Sequence, residues 1–301
     1  MTRTGGAGGR RARAGFTLIE LVLVMVLTGV LAGLFSGLLL RPMQAQVDVG
    51  RRAALVDGAT AALGRIARDV RAALPNSLRV SGTGRALELL RTADGARYRS
   101  GPGVNPGGAD HSAASDWLDT ASADASLNLL GRFTRLSFAY GTPLPAGTRL
   151  AIYPSDSSTW SDAATGAEPG VITPGTLALT LADDGDEDQL QLSAPFRFRH
   201  ASPRQRLFVV EGPVSYVCAI GSGTLYRAEG YAPELLQPED PFAAPLADGR
   251  VAALAADVEG CDFRYVPGSA SRAGLVTLEL ALARGGERVR LLQQVHVEAT
   301  P

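Results

Sequence analysis

The chain has 301 residues, 46% of them hydrophobic, enough to bury a substantial core in one or two domains. Its 29 basic residues are all arginine, and four of them (Arg3, Arg10, Arg11 and Arg13) fall in the acid-free first 15, which leaves 25 against 30 acids in the rest. That mildly acidic body argues against a nucleic-acid partner, and two cysteines are too few for a disulfide scaffold or a four-ligand structural zinc site.

The first element is apolar. Residues 21–40 run 20 positions without a charge, and at about 1.5 Å per residue they span the hydrocarbon core of a bilayer. The arginines precede the run, so the short N-terminus is expected to stay cytoplasmic and the long body to cross. An ordinary secretory signal needs an A-x-A pattern after its apolar stretch, whereas this one exits into Arg41-Pro42-Met43-Gln44. A plain signal anchor fits the hydropathy but leaves Glu20 unexplained. At a helix centre in lipid a carboxylate costs about 2.5–3.5 kcal/mol, less near an end, and such a group normally has a partner.

Gly15-Phe16-Thr17-Leu18-Ile19-Glu20 resembles the prepilin signature of type IV pilins and type II secretion pseudopilins. The resemblance implies that a prepilin peptidase cuts between Gly15 and Phe16 and methylates the new N-terminus. It also implies that Glu20, fifth in the mature chain, meets the ammonium of a neighbouring subunit and sets the stagger of assembly. The implied partners are that peptidase, other major and minor pilins, an inner-membrane assembly platform and the membrane itself.

Pro42 is expected to kink the helix or mark its emergence. Beyond it Leu55, Ala59, Ala62, Leu63, Ile66, Val70 and Leu74 recur at three- and four-residue spacing, with Arg51, Arg52, Asp57, Arg65, Arg68, Asp69 and Arg71 on the other faces. This predicts an amphipathic stalk helix over 42–75, ending before Pro75. From 76 to 301 short β-rich runs alternate with Gly, Pro, Ser and Asp punctuation. Strands are expected at 86–90, 132–140, 149–153, 176–181, 189–192, 206–210, 214–220, 224–231, 251–258, 262–266, 275–283 and 291–297. The last two form a closing hairpin around Arg284-Gly285-Gly286-Glu287. Residues 100–130 and 154–170 read as loop insertions. The fold class is α+β: a long N-terminal helix on an antiparallel β-rich head.

Chemistry-bearing motifs are sparse. His111, His200 and His296 sit in no metal-protease or hydrolase pattern, there is no lysine for a phosphate loop, and no enzyme is expected. Asp183, Asp184, Asp186 and Asp188, with Glu187, crowd around Gly185. They are either oxygen ligands for calcium or a solvated Asp-Gly turn. Trp117 and Trp160 are either adhesive contacts or loop packing. Cys218 and Cys261 each lie in a strand-like run; in an exported head they pair as one disulfide, the alternative being two unrelated buried thiols.

The head is also similar to the MSHA (mannose-sensitive haemagglutinin) pilus biogenesis protein O family. The likeness is carried by the series from Ser202 through Pro213 to Cys218, by Gly230-Tyr231, Cys261-Asp-Phe-Arg-Tyr265, Ser271-Arg-Ala-Gly-Leu-Val-Thr277 and Leu291-Leu-Gln-Gln-Val-His-Val297, and in the stalk by 51–57 and 68–77. It implies a minor pilin, related to J-type pseudopilins, that initiates or caps a pilus. Because Glu20 is retained, it implies a subunit able to sit beneath another.

Overall fold

A computed structural model describes residues 15–154, 158–268 and 273–297. The leader expected over 1–15, apart from Gly15, lies outside the described residues, as do 155–157 of the second insertion and Ser271-Arg272. The chain divides into two compact units, Met1–Arg51 and Arg52–Pro301.

Helix α1, Leu18–Arg71, supplies residues to both units. In the first unit its window Leu18–Phe35 has a mean hydropathy of 2.5, and none of it is buried inside the chain, so it is long and apolar enough to cross a membrane. The Thr28 hydroxyl donates its hydrogen to the Val24 carbonyl at 2.7 Å, so this side chain presents no unsatisfied donor to the apolar surface.

In the second unit the stalk stripe behaves as its spacing requires. Leu55, Ala59, Ala62, Leu63, Ile66 and Val70 are buried, joined by Ala67. They pack on Leu87, Leu89, Tyr216 and Leu225 and on Phe263, Val276, Leu278 and Leu280. The helix ends at Arg71, with basic Arg68 and Arg71 in its last turn, where they complement the carbonyl end of the dipole.

The strands follow in order: β1 Arg79–Val80, β2 Ala86–Arg97, β3 Gly103–Val104, β4 Asp110–His111, β5 Asp124–Asn128, β6 Arg149–Ile152, then helix α2 Ser158–Thr165. After it come β7 Leu179–Asp184, β8 Glu187–Phe196, β9 Arg206–Ala219, β10 Thr224–Glu229, β11 Arg250–Ala255, β12 Val258–Val266, β13 Gly274–Arg284 and β14 Glu287–Val297. The largest sheet runs β1-β2-β9-β10-β11, with β6 also paired to β9. Two three-stranded sheets, β12-β13-β14 and β5-β8-β7, and the short β3-β4 pair complete the head, and every ladder is antiparallel. A second core of Tyr98, Leu127, Leu129, Leu150, Leu190 and Phe198 lies between β5-β8-β7 and the start of β9. With 22% helix and 40% strand, the chain is α+β.

Four expectations are corrected. Residues 132–140 form no strand, because the backbone N–H groups of Thr134, Arg135 and Leu136 all turn inward to one carboxylate oxygen of Asp94 (2.7–3.1 Å) instead of to a neighbouring strand. The expected runs 206–210 and 214–220 are one strand through Pro213. Proline is tolerated there because β6 pairs with β9 only up to Val210 and β10 only from Val214, so the missing N–H falls in a gap between partners. The insertions are not plain loops: 100–130 carries β3, β4 and β5, and 154–170 carries α2, whose Trp160 is buried and donates its indole N–H to the Ser77 carbonyl at 2.7 Å. Asp69 is not on an outer face of the stalk but buried against the sheet.

Candidate processing and assembly site

Residues 15–17 are not helical, and α1 begins immediately after them. The start is written locally: Thr17 Oγ1 accepts the Glu20 backbone N–H at 3.3 Å, the Thr-x-x-Glu spacing of a capping box. Glu20 is the acid of the first turn, where the positive end of the helix dipole favours a carboxylate. Phe16, Leu18 and Ile19 are 79%, 81% and 78% exposed. A Cβ placed on Gly15 would meet no atom within 4 Å, so packing within the chain makes no demand for glycine there. The Gly15–Phe16 bond therefore lies in accessible, irregular backbone, the form an endopeptidase needs. Cutting it would leave an α-ammonium about one helical turn before Glu20.

The aspartate cluster is the tip of the β7–β8 hairpin, with Asp183 opposite Asp188 and Asp184 opposite Glu187. Its carboxylates are directed to different protein donors. Asp183 takes Arg132 at 2.7 Å, and Asp184 takes the Asn128 amide at 2.7 Å. Buried Asp188 takes the Phe133 N–H at 2.9 Å and the Tyr140 hydroxyl at 2.7 Å. Asp186 lies against Gly107, where any Cβ would collide with its Oδ2. Among the described residues no group of three or more His, Cys, Asp and Glu is arranged to hold a metal ion.

Cys218 of β9 and Cys261 of β12 are bonded, with Cα atoms 6.2 Å apart, and tie the largest sheet to β12-β13-β14 beside the stalk core. Of the histidines, His111 is buried 3.1 Å from the Asn128 amide, His200 stands edge-on to Tyr153, and His296 is exposed on β14.

Three buried carboxylates carry structure that sequence reasoning missed. Asp69 accepts the Tyr216 hydroxyl at 2.6 Å and Arg227 Nε at 2.9 Å, which anchors the stalk to β9 and β10. Burial, then the Asp69 contact, pushes the Tyr216 phenol up. Glu88 of β2 pairs with Arg79 at 2.6 Å and accepts Tyr231 at 2.7 Å. Burial raises its pKa against the pull of Arg79. At Asp94 burial acts upward as well, but the N–H groups of Arg135, Gly95, Leu136 and Thr134 outweigh it and hold the carboxyl below its ordinary value. The only local signal for Asp69 was its place one residue before Val70, beside the stripe. Nothing near Glu88 or Asp94 in sequence announces their partners.

The family model described as the prokaryotic N-terminal methylation motif matches residues 10–36. No curated protein and no solved structure matches the chain. The motif supports a type IV pilin-like protein processed by the prepilin peptidase, and the apolar helix fits a membrane-anchored pilin.

Proposed function

We propose that the protein is a minor pilin that initiates or caps an MSHA-type pilus, with its head on the periplasmic side before assembly. The observation that carries this reading is the methylation motif at 10–36 with Glu20 in the first turn of α1, where the window Leu18–Phe35 carries no other charge and none of it is buried inside the chain. In that setting the carboxylate needs a positive mate. Cleavage after Gly15 makes one in its own chain and in each neighbour. The finer assignment to MSHA pili rests on the head likeness at 202–218, 230–231, 261–265, 271–277 and 291–297.

A pseudopilin of type II secretion is the second reading, since the motif is common to both classes. Recovery in sheared surface fibres favours the pilus, and co-purification with secretion-channel components favours the pseudopilus. In either setting the head works by docking, not catalysis, and the hairpin tip at Asp183–Asp188 acts as a turn. Calcium is then expected to leave the melting midpoint unchanged, whereas a bound ion would raise it.

The assembly role is tested with Glu20→Ala. The variant should be cleaved and methylated like the parent but be largely missing from filaments. Incorporation at the parental level would remove Glu20 from the account.

A further inference from the structure

Arg149, the first residue of β6, is only 8% exposed, yet its charge is uncompensated. Its Nη1 donates to the Gly147 carbonyl at 2.8 Å, and its buried Nε has no acceptor. It makes no ion pair among the described residues, and burial alone pulls its pKa down from the ordinary arginine value. The other two arginines buried to this degree among the described residues are both paired, Arg99 with Glu187 and Arg227 with Asp69. An arginine stays charged inside a protein, and a buried charge without a counter-ion is costly.

The surroundings hold the guanidinium in this position. Gly175 lies against it: a Cβ there would come within 2.7 Å of Nη2 and 2.8 Å of Cζ, so any side chain would displace it. The guanidinium lines a cleft of about 440 Å³ between the turn before β6, the end of α2 and the loop after β10, within the range of small-molecule sites. Most of the lining is short and neutral, with Ala146, Ala163, Ala164 and Ala232 among it. Glu211, the one acid in the lining, is exposed and paired with Arg91.

These features narrow the ligand. With Nη1 taken, the donors left are Nε and Nη2 along one edge, and their parallel N–H groups match the two oxygens of a single carboxylate. The lining holds no second cation to share the charge of a phosphate or sulfate, and Glu211 disfavours a ligand with more than one negative charge. The alanine-lined remainder has room for a short aliphatic body.

We infer that this cleft binds a short aliphatic monocarboxylate, with Arg149 as its counter-ion. The inference needs neither cleavage after Gly15 nor Glu20, so it and the assembly reading can fail separately.

The test is calorimetric titration of the full detergent-solubilised chain with sodium butyrate, at an ionic strength held constant with chloride. Butyramide is the neutral match, and succinate and phosphate are the more highly charged arms. Butyrate should bind saturably and raise the melting midpoint, and butyramide should do neither. Succinate and phosphate should bind several-fold more weakly than butyrate. Arg149→Gln should lower butyrate affinity about tenfold or more. Arg149→Lys keeps the charge without the fork and should also lose most of the affinity. Selectivity among the ligands is read on the parent chain, so it decides the matter even where a variant fails to fold. No saturable butyrate binding, equal binding of butyramide, phosphate or succinate binding as tightly as butyrate, or parental affinity in either variant would each overturn the inference.

Discussion

Breaking the Cys218–Cys261 bond is the sharpest test of how the head is held together. The bond closes a 43-residue separation and joins two sheets that share the stalk core. In the chain-entropy model a loop of this length restricts the unfolded state by about 4 kcal/mol at 25 °C. For a unit of this size about 2–4 °C of midpoint accompanies each kcal/mol, so reduction should lower the midpoint by about 8–16 °C. Reduction is the cleaner perturbation, because Cys218 is buried and Cys218→Ala would add a packing loss to the entropic one. The assay is thermal unfolding of the solubilised chain, followed by tryptophan fluorescence, with and without reductant. Thiol labelling of the unreduced native protein should find no reactive cysteine. A midpoint that moves by less than about 2 °C, or two labelled thiols, would refute the argument.

Asp69→Ala leaves the Tyr216 hydroxyl and Arg227 without their buried acceptor and should cost about 3–5 kcal/mol in urea unfolding. A loss under about 1 kcal/mol would show that the stalk is held by its apolar stripe alone. Asp94→Ala removes the acceptor of three consecutive N–H groups and should cost about 2–3 kcal/mol at neutral pH. Because the folded value at Asp94 lies below the ordinary 3.8, its contribution is full above 3.8 and lost as pH falls through the folded value. The variant should therefore lose that acid-sensitive part, and an unchanged acid limb would contradict it. Glu88 has the opposite sign. Its folded value is raised above 4.5, so its contribution is present below 4.5 and lost as pH rises through the folded value. Glu88→Gln should flatten that decline, and a parental slope in the variant would count against a raised Glu88.

Local patterns were the legible part of the fold. The anchor was readable from an unbroken apolar run, and the stalk from residues repeating every third or fourth position. The closing hairpin was readable from alternation around Gly285-Gly286, which take φ of 57° and 88°, left-handed values that most side chains resist. What escaped was decided at long range. The segment 132–140 has strand composition, yet a carboxylate some 40 residues earlier captures its N–H groups. Asp69 looks like an outer-face charge until Tyr216 and Arg227 arrive from strands far along the chain. The same holds for Arg68 and Arg71 of α1, Arg97 of β2, Arg206 of β9 and Arg135, which are scattered along a mildly acidic chain and come to line one cleft only where these elements meet. At the candidate site the order reverses. The start of α1 was legible because it is set by adjacent residues, Thr17 capping the helix in whose first turn Glu20 lies.

The central claim is that the chain matures by losing its basic leader so that Glu20 gains a positive mate. Mass spectrometry of the N-terminal peptide, from protein taken out of its native host's membranes, measures this directly. The account predicts a chain that starts at Phe16 with a methylated α-amino group. A mature chain that still begins upstream of Gly15 would contradict it.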